Sequence, residues 1–201
     1  MANLLLIRHG LSTYNLENRF TGSTDVPLCE QGIEEAKSAA EKLKNYPIDI
    51  AFTSVLKRAI DTLQIILDVN EHKNIPVIKN KALNERDYGD LQGLNKAEVA
   101  RQYGDEQVHL WRRGYKIKPP GGESLEDTYH RTIPYFNAVI LPELGKGKNV
   151  LLVAHGNSLR AVFKELDHIS DDDIVNLNID TGKIYQYAFD KQLNIISRKI
   201  L

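Results

Sequence analysis

The chain has 201 residues, 42% hydrophobic and 26% charged, and a chain this long buries roughly 70% of its unfolded surface without needing disulfides or metals. Lysine plus arginine number 26 against 27 aspartates and glutamates, a formal net charge of −1, which excludes a globally basic nucleic-acid surface but leaves room for a local cationic pocket. Cys29 is the only cysteine, so an internal disulfide framework and a cysteine-based zinc site are both excluded. The apolar run Leu4–Ile7 stops at Arg8 and is far too short for a signal peptide or a spanning helix. The expectation is one soluble, cytoplasmic domain over residues 1–201, with no membrane or nucleic-acid partner.

Apolar periodicity switches repeatedly between the strand and helix templates. Asn3–Ile7 reads as a strand buried on both faces, and a polar loop follows from Arg8 to Pro27. Ile33, Ala36, Ala40 and Leu43 give one face of a helix over about Glu30–Lys44. Asp49–Ser54 reads as a second strand. Val55–Val69 reads as a second helix, striped by Leu56, Ala59, Ile60, Leu63, Ile66 and Leu67. Pro76–Lys79 is a short strand, followed by an irregular stretch through Leu94 and helices over about Lys96–Gln102 and Glu106–Arg113. Lys116–Gly122, with its Pro-Pro-Gly-Gly run, is the most loop-like segment. A long helix over about Ser124–Leu141 carries Pro134 as an expected kink. Asn149–Ala154 is another strand, Ser158–Leu166 a helix, and Lys183–Phe189 with Leu193–Lys199 a terminal hairpin. The alternation predicts an α/β fold, a mostly parallel central sheet with helices on both faces.

In open α/β sheets ligands sit beyond the carboxyl ends of the strands. Three strands deliver polar residues there: Arg8-His9-Gly10, then Thr53-Ser54 leading to Lys57-Arg58, then His155-Gly156-Asn157. Two histidines and two arginines therefore converge on one crevice. A cation in the first turn of a helix is unfavourable unless an anion is bound there, so Arg58 points to a phosphate. Phosphoryl transfer needs cations and donors on the equatorial oxygens and an in-line nucleophile. A neutral imidazole serves as that nucleophile, and nearby arginines disfavour its protonated form. Spacing does not say which histidine attacks. The carboxylates near Glu85 are the candidates for the acid that protonates the leaving oxygen.

The segment Leu4–Ser12 with Asn15 resembles the RHG motif of the histidine phosphatase superfamily. Arg19–Gly22, Thr53–Ala59, Leu83–Arg86, Tyr88-Gly89, Leu91–Lys96, Trp111–Arg113 and Ala154–Arg160 are similar to the cofactor-dependent phosphoglycerate mutase family, in order and over nearly the whole chain. The resemblance implies the phosphoglycerate mutase-like α/β fold and the interconversion of 3-phosphoglycerate and 2-phosphoglycerate, a phosphorylated hydroxy acid, through phosphohistidine. It implies His9 as the phosphorylated nucleophile, His155 as its partner and Glu85 as the proton donor and acceptor. Arg8, Arg58 and Asn15 would hold the phosphoryl oxygens. Thr21, Gly22, Tyr88, Lys96, Arg112, Arg113, Gly156 and Asn157 would line the rest of the substrate site. It further implies 2,3-bisphosphoglycerate as primer, no metal, and a monomer or a homodimer. Charge agrees, since a substrate with a carboxylate as well as a phosphate needs the second cationic group that Lys96, Arg112 and Arg113 supply.

The chain departs from the family pattern at Leu11, where Glu is usual, and at Asp87, where His or Tyr is usual and a negative charge would weaken anion binding. Longer members carry an insertion where Pro119–Gly122 here runs directly into Glu123-Ser124-Leu125, and a tail beyond the last strand. An open site would let phosphohistidine hydrolyse, so more phosphatase leakage is expected. Two other readings compete. A phosphomonoesterase has less need for the second cationic cluster. A catalytically silent sensor would be expected to lack one of His9, Arg8, Arg58, Glu85 or His155. Gly145–Lys148 lacks P-loop spacing and reads as a surface turn. Asp171–Asp173 after Ser170 reads as a capped helix start rather than a metal site. His72, His109, His130 and His168 read as surface residues, Cys29 as incidental, and Trp111 as a core residue that orients Arg112 and Arg113.

Overall fold

The computed structural model describes residues 1–71 and 74–201. In chain order the elements are β1 (Ala2–Arg8), α1 (Thr13–Leu16), α2 (Glu30–Lys42), β2 (Ile50–Thr53), α3 (Lys57–Val69) and β3 (Val77–Lys79). Then come α4 (Lys96–Tyr103), α5 (Asp105–Arg113), α6 (Leu125–Tyr135), α7 (Leu141–Gly145), β4 (Val150–Ala154), α8 (Gly156–Leu166), β5 (Ile184–Phe189) and β6 (Ile195–Ile200). One six-stranded sheet runs in the order β3-β2-β4-β1-β5-β6. β1, β4, β2 and β3 are mutually parallel, while β5 and β6 add antiparallel strands beyond β1. The mostly parallel α/β sheet is therefore the one expected.

The apolar runs are continuous because both faces of the sheet are covered. Leu5, Ile7, Ala51, Leu151 and Val153 point to α2 and α3, where Ala39, Ala40, Leu43, Ala59, Leu63 and Ile66 meet them. Leu4, Leu6, Phe52, Leu152 and Ala154 point the other way, against Ile133, Phe136, Ile140, Leu159, Val162 and Phe163. Successive strand residues thus feed opposite layers, the period of two that a strand imposes.

Three local features differ from the periodicity reading. The segment expected as one kinked helix is α6, a π-helical turn over Phe136–Ile140, and α7. Pro134 and Pro142 both lack an N–H, and the wide turn between them accommodates the interrupted ladder. The polar loop after β1 contains α1, capped by the Ser12 hydroxyl, which accepts from the Asn15 N–H. The irregular stretch holds 3-10 turns at Lys81–Leu83 and Gly89–Leu91.

His109, His130 and His168 are exposed, and Gly145, the last residue of α7, leads into an exposed turn at Lys146 and Gly147. His72 lies outside the described residues. The Ser170 hydroxyl accepts from the Asp173 N–H at 3.0 Å and opens one 3-10 turn, Asp173–Asn176. Among the described residues no helix is long and apolar enough to cross a membrane.

Candidate active site

β2, β4 and β1 are parallel neighbours, so their carboxyl ends emerge on one edge, with Arg8 opposite Ala154 and Thr53 opposite Val153. The His9 N–H donates to the Ala154 carbonyl at 3.0 Å. This stitches the two histidine-bearing turns together and leaves the rings of His9 and His155 edge to face, 4.9 Å apart. The turn after β1 lies directly on α2. A Cβ at Gly10 would sit 2.1 Å from the Gly32 carbonyl oxygen, and one at Gly32 would sit 2.0 Å from that of Leu11. Only two facing glycines permit that approach.

His9 is 2% exposed. Its Nδ1 lies 2.7 Å from the Gly10 carbonyl oxygen. A carbonyl only accepts, so Nδ1 carries the proton and Nε2 keeps its lone pair. Burial, with Arg58 and Arg8 adding to it, holds the His9 pKa well below the usual imidazole value, against the contrary pull of the Gly10 hydrogen bond. Arg58 donates from Nε to His9 Nε2 at 3.2 Å, and from its two terminal nitrogens to the Thr24 and Gly22 carbonyls. Its guanidinium is thereby fixed beside the nucleophilic nitrogen, and burial lowers its pKa to about 10. Arg8 donates to the Ile179 carbonyl at 2.7 Å, while its buried Nε has no partner among the described residues.

His155, fully buried, has its pKa lowered by burial and then by Arg58, His9 and Arg8. Its Nε2 lies 2.7 Å from the Ser54 hydroxyl oxygen, and its Nδ1 has no partner among the described residues. Glu85 accepts at Oε1 from the N–H groups of Asn157, at 3.0 Å, and Arg86, at 2.8 Å. Asn157 lies in the first turn of α8, where a carboxylate is stabilised by the positive end of the helix dipole. Arg131 anchors this segment. It pairs with both Glu123 oxygens and donates to the Glu85 and Ala82 carbonyls.

A polar cleft of about 140 Å³ opens above this floor, and among the described residues its lining includes Arg8, Asn15, Thr21, Gly22, Glu85 and Tyr88. Lys96, Arg112, Arg113, Gly156 and Asn157 line it too, so that of the anticipated substrate-site residues Arg58 alone is not part of this lining. His9, His155 and Arg58 are buried and are not among the lining residues. Burial, then Arg112 and Arg8, push the Lys96 ammonium down to about 8. Trp111 packs with Phe20, Leu91, Val99 and Val108 under the cationic end of α5, as expected of a core residue.

Arg19, Phe20, Arg160, Asn178 and Ile179 also line the cleft and were not singled out. Arg160 donates to the Asn157 side chain and to the Arg113 and Ile174 carbonyls, contacts with no periodic signature in sequence. Arg19, Phe20 and Arg160 lie inside the family-like segments, which was the one available signal. The two departures lie off the lining. The Leu11 N–H donates to Glu35 on α2 at 2.9 Å. Asp87 accepts from the Ser23 hydroxyl and the Gly89 N–H, which holds its carboxylate away from the cleft.

Residues 4–199 match the model of the histidine phosphatase superfamily (branch 1). The chain belongs to the histidine phosphatase superfamily. A 2,3-bisphosphoglycerate-dependent phosphoglycerate mutase of Cytophaga hutchinsonii is 54% identical over 199 residues, covering 98% of this chain and 93% of that relative. One from Lactiplantibacillus plantarum is 46% identical over 228 positions, covering 100% and 99%. Among solved structures of the superfamily, a mycobacterial glucosyl-3-phosphoglycerate phosphatase in complex with VO3 superposes with a TM-score of 0.85 at 27% identity, covering 100% of this chain and 97% of that one.

Proposed function

We infer that this histidine phosphatase-superfamily enzyme is a 2,3-bisphosphoglycerate-dependent phosphoglycerate mutase, interconverting 3-phosphoglycerate and 2-phosphoglycerate in glycolysis and gluconeogenesis, in the cytoplasm. The relatives at 46–54% identity support the reaction. The observation that carries it at the site is the pairing of two cationic groups. Arg8 and Arg58 surround His9, and Lys96, Arg112 and Arg113 face the same cleft. One group suits the transferring phosphoryl and the other the carboxylate and remaining phosphate. A monophosphatase would use only the first.

In this reading the His9 Nε2 lone pair attacks phosphorus in line. The bond from phosphorus to the glycerate oxygen breaks, its electron pair stays on that oxygen, and Glu85 supplies the proton. Arg8, Arg58, Asn15 and His155 hold the equatorial oxygens, and their fixed positions keep the reorganisation cost low. In the reverse step Glu85 takes the proton from the 2-hydroxyl of bound 3-phosphoglycerate as that oxygen accepts the phosphoryl from His9. His9 then receives the phosphoryl carried on the 3-oxygen, and 2-phosphoglycerate leaves. Thr21, Gly22, Tyr88, Gly156 and Asn157 orient the glycerate. The residues present fit a polyanionic primer, because Arg8 Nε and His155 Nδ1 are buried without partners among the described residues while Lys96, Arg112 and Arg113 line the same cleft as Arg8. When bound, 2,3-bisphosphoglycerate supplies the phosphoryl group that first loads His9. No step in this reading requires a metal.

The test follows 2-phosphoglycerate and free phosphate from 3-phosphoglycerate, with EDTA throughout and with or without trace 2,3-bisphosphoglycerate. Primer-dependent isomer formation outpacing phosphate, lost in His9→Ala, is the expected result. Phosphate without isomer would make the enzyme a phosphatase, and turnover in His9→Ala would remove the nucleophile assignment.

A further inference from the structure

The two buried histidines are held in different ways. His9 presents Nδ1 to a carbonyl, whereas His155 presents Nε2 to the Ser54 hydroxyl at 2.7 Å. Ser54 is fully buried, and its oxygen already accepts the Leu56 N–H at 3.1 Å. A hydroxyl has one proton and two lone pairs, so one lone pair and the proton remain. If Ser54 accepted from His155, its own proton would have no acceptor among the described residues and the imidazole Nδ1 would be a bare lone pair. Each such buried unsatisfied group is destabilising, because its lost contact with water is not replaced. If Ser54 donates, both of its contacts are satisfied and the single group left over is an Nδ1–H donor on His155.

We propose that Ser54 is a positioning residue that fixes His155 in the Nδ1–H tautomer. His155 then meets the phosphoryl group as a hydrogen-bond donor without carrying a positive charge. The Gly10 carbonyl holds His9 in the same tautomer but takes up its Nδ1–H, so that His9 is left with the Nε2 lone pair where His155 is left with the Nδ1–H. Two chemically identical rings 4.9 Å apart are thereby divided into one lone pair that attacks and one proton that holds an oxygen. Donation needs no imidazolium, which burial and the adjoining guanidiniums oppose on both rings. The proposal rests on the mutase reading for the step it serves, but its tautomer content does not.

The experiment uses full-length protein with nitrogen-15-labelled histidine and proton–nitrogen correlation spectra of the ring nitrogens, assigned by His9→Asn and His155→Asn. Wild-type protein is expected to show a protonated Nδ1 and bare Nε2 on both rings. Ser54→Ala is expected to mix or reverse the His155 tautomer. It should also slow phosphohistidine formation from 2,3-bisphosphoglycerate roughly 10–100-fold, less than the 100–1,000-fold cost of deleting a donor outright, with binding little changed. Ser54→Thr keeps the hydroxyl and is expected to restore both readouts. A protonated Nε2 on His155 in the wild type would overturn the proposal even if no variant folds. So would a Ser54→Ala protein that keeps both tautomer and rate. A wild type that shows the expected tautomers yet never forms phosphohistidine would overturn the mutase reading and leave the Ser54 assignment intact.

Discussion

Lys96 is one of the three cations of the cleft's second cationic group, and its ammonium is pushed down to about 8 because burial, Arg112 and Arg8 all oppose the charge. The cation exists below that value and the neutral amine above it, and an anionic substrate binds the cation. KM for 3-phosphoglycerate is therefore expected to rise above pH 8, approaching tenfold per pH unit if only the charged form binds. Lys96→Arg should flatten the profile between pH 7 and 9, because a guanidinium stays protonated. A wild-type KM constant across that range would refute the assignment. The strand-end residues His9, His155 and Arg8, and Arg58 in a helix's first turn, were legible in sequence because their chemistry contradicts their local setting. Glu85 was legible only as one carboxylate in an irregular stretch. Its bond to Asn157 spans 72 positions, and Arg131, which holds the Glu85 carbonyl from 46 positions away, left no sequence signal. Such residues act through partners that only the tertiary fold supplies.

At the scale of elements, the contact between α2 and the turn after β1 reverses an ordinary expectation. Gly32 lies inside α2, where alanine normally adds about 1 kcal/mol of helix stability over glycine. Here the new Cβ would fall 2.0 Å from the Leu11 carbonyl oxygen, and relieving that overlap costs about 1–3 kcal/mol or more. Gly32→Ala is expected to destabilise the protein by about 2 kcal/mol in urea titration. It should also depress kcat, since the turn pushed aside carries the Gly10 carbonyl that sets the His9 tautomer. Stabilisation of that variant would show the contact to be soft. Strands and the longer helices were readable from periodicity to within a few residues. The π-helical turn was not, because Pro134 announces an interruption without specifying the form it takes, and Pro142 contributes from the far side.

Across the whole molecule, the sheet edge holds two imidazoles that are kept neutral by burial, so catalysis and stability are linked. The unfolded chain takes up protons on both near pH 6.5, while folded His9 and His155 resist them to well below that value. Stability present above pH 6.5 is thus lost as pH falls, by up to about 2.7 kcal/mol per pH unit with two such groups. Urea midpoints measured between pH 7 and 5 should fall accordingly, and His155→Asn should roughly halve the slope. An unchanged slope would mean that His155 protonates in the folded state.

The order of strands has one more consequence, for the chain as it is made. Within the sheet β1 pairs with β4 and β5, so Leu4 awaits Val150, 146 positions later, and Tyr187 still further on. At about 5–20 residues per second of synthesis, its Leu-Leu-Leu-Ile run stays without its sheet partners for roughly 7–30 s. This apolar strand and the nucleophile that follows it are the first parts of this sheet to emerge and among the last to be sheltered. An enzyme with this topology emerges from the ribosome dependent on whatever covers a bare β-strand in the meantime.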